Sequence, residues 1–116
     1  KCKLLIKAMA DFCLERKIKF MLVTTNDGDT YLPEVEKEYK SINATFNASF
    51  FEDDLREYAK SLNIEYLGLQ SIFRESYKNS GVLLHWGHWN YQGHQLVAEA
   101  LSDNLYISMN KTDIKP

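Results

Sequence analysis

Cysteine is scarce in this chain: of 116 residues, only Cys2 and Cys13 carry a thiol. Two thiols cannot build a disulfide framework. On the helix read between them they stand about three turns apart, roughly 16 Å at about 1.5 Å per residue, so a bridge is not expected. Long apolar runs are missing as well. No eighteen consecutive apolar residues occur, and a helix that crosses a bilayer needs about twenty. Excess basic charge is also lacking, with fourteen Lys and Arg against sixteen Asp and Glu and a formal net charge of −2. The charges are scattered, so there is no basic stripe to follow a phosphate backbone and nucleic acid is not an expected partner. Internal repeats and low-complexity segments are absent. Lys1-Cys2-Lys3 leads directly into an amphipathic segment with no signal-peptide core before it. That start, inside an element, raises the expectation of a piece of something longer.

What is present fits one domain, with 45% hydrophobic residues, 26% charged residues and a mean hydropathy of −0.39. From Lys3 to Lys17 the residues Leu4, Leu5, Ala8, Met9, Phe12 and Cys13 recur with the helical period, which predicts a helix packed on the core by that stripe. Ile18 to Thr25 is apolar and β-branched without alternation, as in a central, largely buried strand, and it stops at the turn formers Asn26-Asp27-Gly28-Asp29. Pro33 opens a short helix through Tyr39, followed by a polar loop to Asn47. Ser49 and Glu52 have the capping-box spacing ahead of a helix with Leu55, Tyr58, Ala59 and Leu62 on its face, ending at Asn63. A second strand is expected at Ile64 to Leu69, a brief helix at Gln70 to Tyr77, and a turn from Lys78 to Gly81. Asn90 is the N-cap candidate for a last helix carrying Leu96, Val97, Ala100 and Leu101. Tyr106-Ile107 forms a short extension, residues 1–109 make one α/β domain or the C-terminal half of one, and residues 110–116 form a polar tail.

This order of elements describes an α/β sandwich with parallel strands joined by crossover helices. Two strands make a poor parallel sheet, which normally has both faces covered and several neighbours in register. The chain is therefore expected to pair with strands supplied from elsewhere or to associate with a copy of itself.

His85, His88 and His94 are the only histidines, and all fall within ten positions. An imidazole with an unperturbed pKa of about 6.5 accepts and returns a proton near neutrality. Set in a loop ahead of a helix and flanked by Trp86 and Trp89, one of them would sit at the rim of a cleft, with an indole shielding it from water. The same three rings number enough for a catalytic zinc with one open position. Against a metal stand the lack of a Glu between the first pair and the better reading of Gly93 to Leu101 as a helix start. No metal or cofactor is expected.

The run His88-Trp89-Asn90-x-x-Gly93-His94-x-Leu96-Val97-Ala98 resembles the last block of the SGNH (GDSL-type) hydrolases. The Trp after the histidine is similar to the acetyl-transfer and acetyl-esterase branches. The preceding helix-to-strand steps, Lys3 to Thr25 and Leu55 to Leu67, are similar to the family's order, although only residues 85–101 are specific. The resemblance implies a three-layer flavodoxin-like fold and ester chemistry on an O-acylated small molecule or carbohydrate such as a sugar acetate. It makes His88 the general base for a serine and then the acid for the leaving alcohol.

Departures from the family shape the rest of the expectation. Where the family has an Asp two or three residues before the histidine, this chain has Trp86 and His85. The imidazole must then be oriented by a backbone carbonyl, by His85 or by an acid from elsewhere. Gly28-Asp29-Thr30 is similar to the Gly-Asp-Ser signature and Thr25-Asn26-Asp27 to the oxyanion-hole block. These overlap in one loop, whereas the family separates them widely, so nucleophile and oxyanion hole are expected outside this chain. His85 and Asn90 are the supporting residues, Trp86 and Trp89 the candidates to line an acyl or sugar pocket, and His94 a structural residue of the first helical turn. The competing expectation is a non-catalytic α/β binding or scaffolding module that keeps the fold without acid or nucleophile.

Overall fold

A computed structural model describes residues 1–25 and 28–110. Asn26 and Asp27, read as turn formers and as part of the oxyanion-hole similarity, lie outside the described residues, as does the expected polar tail beyond Asn110. The strands β1 (Met21–Thr24) and β2 (Glu65–Gly68) pair in parallel, with Met21 opposite Glu65 and Thr24 opposite Gly68. The chain is thus α/β, with one two-stranded parallel ribbon among its described residues. The expectation of a central, largely buried first strand is corrected. β1 has a neighbour on one edge only, and all of its residues are half-buried.

Side chains alternate across the ribbon as strand geometry requires. Met21, Val23 and Leu67 join the core around Tyr31, Leu69, Phe73, Leu84 and Val97. Thr24 and Tyr66 turn to the other side, where the Tyr66 hydroxyl donates to the Glu52 carbonyl at 3.0 Å and accepts from the Thr24 hydroxyl at 2.6 Å. Burial pushes the Tyr66 phenol up, so it remains a donor.

Five helices accompany the ribbon: α1 (Cys2–Glu15), α2 (Pro33–Ile42), α3 (Phe50–Ser61), α4 (Leu69–Ser80) and α5 (Tyr91–Asn110). A 3-10 turn, Gly28–Tyr31, leads from β1 towards α2. Pro33 does open α2, at the position where its missing N–H costs nothing, but the helix runs on to Ile42. Gly81, at φ 67°, ends α4 in the left-handed cap expected of glycine. Both α4 and α5 are longer than their apolar periodicity indicates, and α5 absorbs the separate extension read at Tyr106-Ile107.

The stripe read on α1 is corrected outright. Ile6 and Ala10 are the residues that α1 buries, while Leu5 is 66% and Phe12 53% exposed, and Leu4 and Met9 are exposed beside them. The helix has two apolar sides, and the narrower one is covered. It meets α3 there, with Lys3 paired to Asp54 at 2.7 Å and the Tyr58 hydroxyl donating to the Lys3 carbonyl at 2.9 Å. Cys2 and Cys13 are both free thiols on this helix.

The capping box at Ser49 and Glu52 does not form. Ser49 takes a helical ψ of 0° and makes no side-chain cap to α3. Glu52 is buried instead and caps a different helix: its Oε2 accepts the N–H groups of Gln70 at 2.8 Å and Ser71 at 3.3 Å, at the start of α4. Its other oxygen meets Arg56 at 2.7 Å. Carboxylate and helix dipole match in sign, and two otherwise unpaired amides are satisfied. Space for this exists because residue 68 is glycine: a Cβ there would stand 2.3 Å from the Glu52 Cδ.

On the far side of the core, Glu36 of α2 joins Lys40 at 2.8 Å and Arg74 of α4 at 2.6 Å. The hydrogen bond from Lys40, and then the Arg74 charge, hold the Glu36 carboxyl below its ordinary value of 4.5. Its folded value being the lower, this contact adds stability above the unfolded value and loses it as pH falls through the folded one. In urea titrations at several pH values, the midpoint gap between the parent and Glu36→Gln will therefore be open near neutrality and close below about pH 4. Removing the Glu52 carboxylate in Glu52→Ala will cost about 3 kcal/mol in the same assay, because several hydrogen bonds to one charged acceptor are lost together. Met9→Ser, on the uncovered side of α1, will cost less than about 0.5 kcal/mol.

Candidate functional site

The segment between α4 and α5 is short and irregular; Leu84 and Trp89 pack into the core, and the Tyr31 side chain holds it from the other side. Tyr31 is fully buried. Its ring stands edge-on to Phe73, Tyr77 and His85, with centroids 5.5, 6.0 and 5.3 Å away. Its hydroxyl accepts the Leu84 N–H at 3.0 Å and lies 3.3 Å from Nδ1 of His85. Burial pushes the phenol up, with the Leu84 amide pulling the other way, so the hydroxyl keeps its proton. The other ring nitrogen of His85, Nε2, is in contact with the carboxylate of Asp29.

From His85 the chain reverses. His85 and Trp89 form an antiparallel bridge, the Trp86 N–H donates to the His88 carbonyl at 2.9 Å, and Gly87 sits at φ 95° between them. α5 then begins against the segment it has just left. The Asn90 N–H donates to the Leu84 carbonyl at 2.9 Å and the Asn90 Nδ2 to the Leu83 carbonyl at 2.6 Å, while Oδ1 accepts the Gly93 N–H at 2.9 Å. Asn90 is thus the N-cap that its position suggested. Gly93 is required by close approach, since a Cβ there would stand 2.3 Å from the Leu84 oxygen.

These elements leave a cleft of about 440 Å³ at the carboxyl end of β1, lined by Thr25 and Gly28 on one side and His85, His88, Trp89 and His94 on the other. Ligands of open α/β sheets are commonly held at this end of the strands. A second groove of about 450 Å³ lies between α1 and the segment 62–65, at the amino end of the ribbon, and contains no histidine.

All three histidines therefore reach one cleft, in different states. The His85 side chain is 8% exposed and engaged at both nitrogens. His88 is exposed, and no hydrogen bond to its ring occurs among the described residues. His94 is exposed, donates its backbone N–H to the Asn90 carbonyl, and packs edge-on to Trp89 at 5.6 Å, so its ring meets an indole rather than the loop backbone. Trp89 also packs on Phe73, whereas Trp86 is 72% exposed and does not line the cleft. Among the described residues no group of three His, Cys, Asp or Glu side chains converges on a point that could hold a metal ion.

No sequence pattern marks Tyr31, and Asp29 enters only through the Gly28-Asp29-Thr30 similarity, not as a partner of a histidine. The signal available was their place in the first turn after a strand, at the end where α/β sites gather. No protein-family model, curated protein or solved structure matches this chain.

Tyr31→Phe removes the partner of both the Leu84 N–H and the His85 Nδ1 while keeping the ring. In urea unfolding it will cost about 1–3 kcal/mol, the range for stranding buried polar groups.

Proposed function

We propose that the chain is the C-terminal portion of an SGNH-type serine ester hydrolase or O-acyl (acetyl) transferase, built on a three-layer flavodoxin-like fold. In this reading His88 is the general base for a serine outside the chain, and the substrate is an O-acylated small molecule or carbohydrate. The observation that supports it most is the gathering of His85, His88 and Trp89 in a cleft at the carboxyl end of β1. The structural use of Asn90 and Gly93 adds to it, because both residues of the block that resembles the family serve to seat the histidine turn on α5. Among the described residues one edge of β1 is unpaired and one side of α1 is uncovered, surfaces that an N-terminal half would close in this reading.

The chemistry follows from an exposed imidazole beside a bound ester. His88 takes the serine proton as the oxygen attacks the acyl carbon, and returns it to the departing alcohol. The acyl group then passes to water or to a second alcohol, with His88 again removing the proton. The exposure of His88 among the described residues favours a second reading, a binding module of the same fold without hydrolysis.

A p-nitrophenyl acetate assay of the full-length protein separates the two. His88→Ala will lower kcat by about a hundredfold or more if the imidazole is the base. Equal rates, or no turnover by the parent, would overturn the hydrolase reading and leave the binding module.

A further inference from the structure

We infer that Asp29 and His85 act together as positioning residues, a latch that sets the turn bearing His88 at the cleft. The inference rests on the reading of His88 as the base. It concerns the place where the resembling block has a carboxylate and this chain has none.

The proton assignment within the latch follows from the hydrogen bonds. The Tyr31 oxygen already accepts the Leu84 N–H, and the latch assigns its hydroxyl hydrogen to Nδ1 of His85, 3.3 Å away. A neutral imidazole that accepts at Nδ1 carries its proton on Nε2, which faces Asp29. His85 is thus a donor to a carboxylate on one side and an acceptor from a buried phenol on the other. Neither nitrogen is left for a substrate, so His85 does not itself move the proton in catalysis.

What the latch does is mechanical. His85 opens the reversal that Trp89 closes, and the Trp86 amide ties to the His88 carbonyl inside it. Asp29 belongs to the 3-10 turn that follows β1, 56 residues away in sequence. The contact therefore joins the two walls of the cleft, one built on the strand and the other carrying His88. Displacing a reacting group by about 1 Å can cost about a hundredfold in rate, so a contact that fixes one wall against the other bears directly on turnover.

Two amide substitutions separate the two ends of the imidazole. Glutamine at position 85 can place an N–H near the site of Nε2 and keep the Asp29 link. Asparagine can reach only the region of Nδ1 and keeps the Tyr31 link. In the full-length protein, His85→Gln will retain kcat for p-nitrophenyl acetate within about threefold. His85→Asn and Asp29→Ala will each lose about tenfold or more, with KM changed by less than about twofold. The double variant Asp29→Ala/His85→Asn will be no slower than the slower single one, because both remove the same contact. Equal retention by His85→Gln and His85→Asn, or losses that multiply in the double variant, would overturn the latch.

A readout independent of turnover keeps the inference separate from the hydrolase reading. In long-range ¹H–¹⁵N spectra, His85 will show a protonated Nε2 and an unprotonated Nδ1. The Gly87 and His88 amide peaks will move in Asp29→Ala and His85→Asn and stay in place in His85→Gln. If the spectra behave so and no ester is hydrolysed, the latch stands and the enzyme reading falls. If the peaks do not move, the latch falls whatever the activity.

Discussion

The hydroxyl of Tyr31 joins the interior of this molecule to its cleft. One buried oxygen accepts the Leu84 amide and lies within hydrogen-bond distance of His85, while the ring below it is wedged among Phe73, Tyr77 and the imidazole. A phenol can do this because it is apolar along its body and polar at its tip. Leu84 is buried, and its amide would otherwise be sealed from water unpaired. The start of α5 depends on Leu83 and Leu84 in turn, since Asn90 bonds to their carbonyls. The core, the histidine turn and the last helix are thus linked in sequence through one side chain.

Much of the fold was legible where the controlling interactions are local. Pro33 and Asn90 each open a helix as their own backbone preferences dictate, and the apolar residues Leu96, Val97, Ala100 and Leu101 of α5 do meet the core, whereas Lys78 to Ser80, read as a turn, continue α4 up to Gly81. Two readings failed for a shared reason. Periodicity shows that α1 has an apolar stripe but not which of its sides finds a partner, and Ile6 with Ala10 won that place over Leu5, Met9 and Phe12. The Ser49 and Glu52 spacing describes a cap within one helix, yet Glu52 gains more at the start of α4, where two amides and Arg56 converge on it. Partners distant in sequence decided both outcomes, and no local pattern records them.

Legibility of the site divides along the same line. The block from His88 to Ala98 could be read because its residues serve one another across a few positions: Asn90 caps Gly93, and Gly93 makes room for Leu84. Asp29 could not be assigned in this way. Its contact with His85 exists only once β1, α3 and β2 have brought the two loops to the same end of the ribbon. The absent carboxylate upstream of His88 was visible in the sequence, and the carboxylate that reaches the turn from elsewhere became visible only in three dimensions.

The edge of β1 has a further consequence. Met21–Thr24 contains neither charge nor proline, two of the devices by which an open edge discourages further pairing. The apolar side of α1, which leads into that strand, is uncovered as well. Such surfaces associate with whatever extended or apolar chain reaches them first, at a rate that scales with its abundance. Were those surfaces to pair with a second copy, protein concentration would become a variable of state alongside temperature and pH.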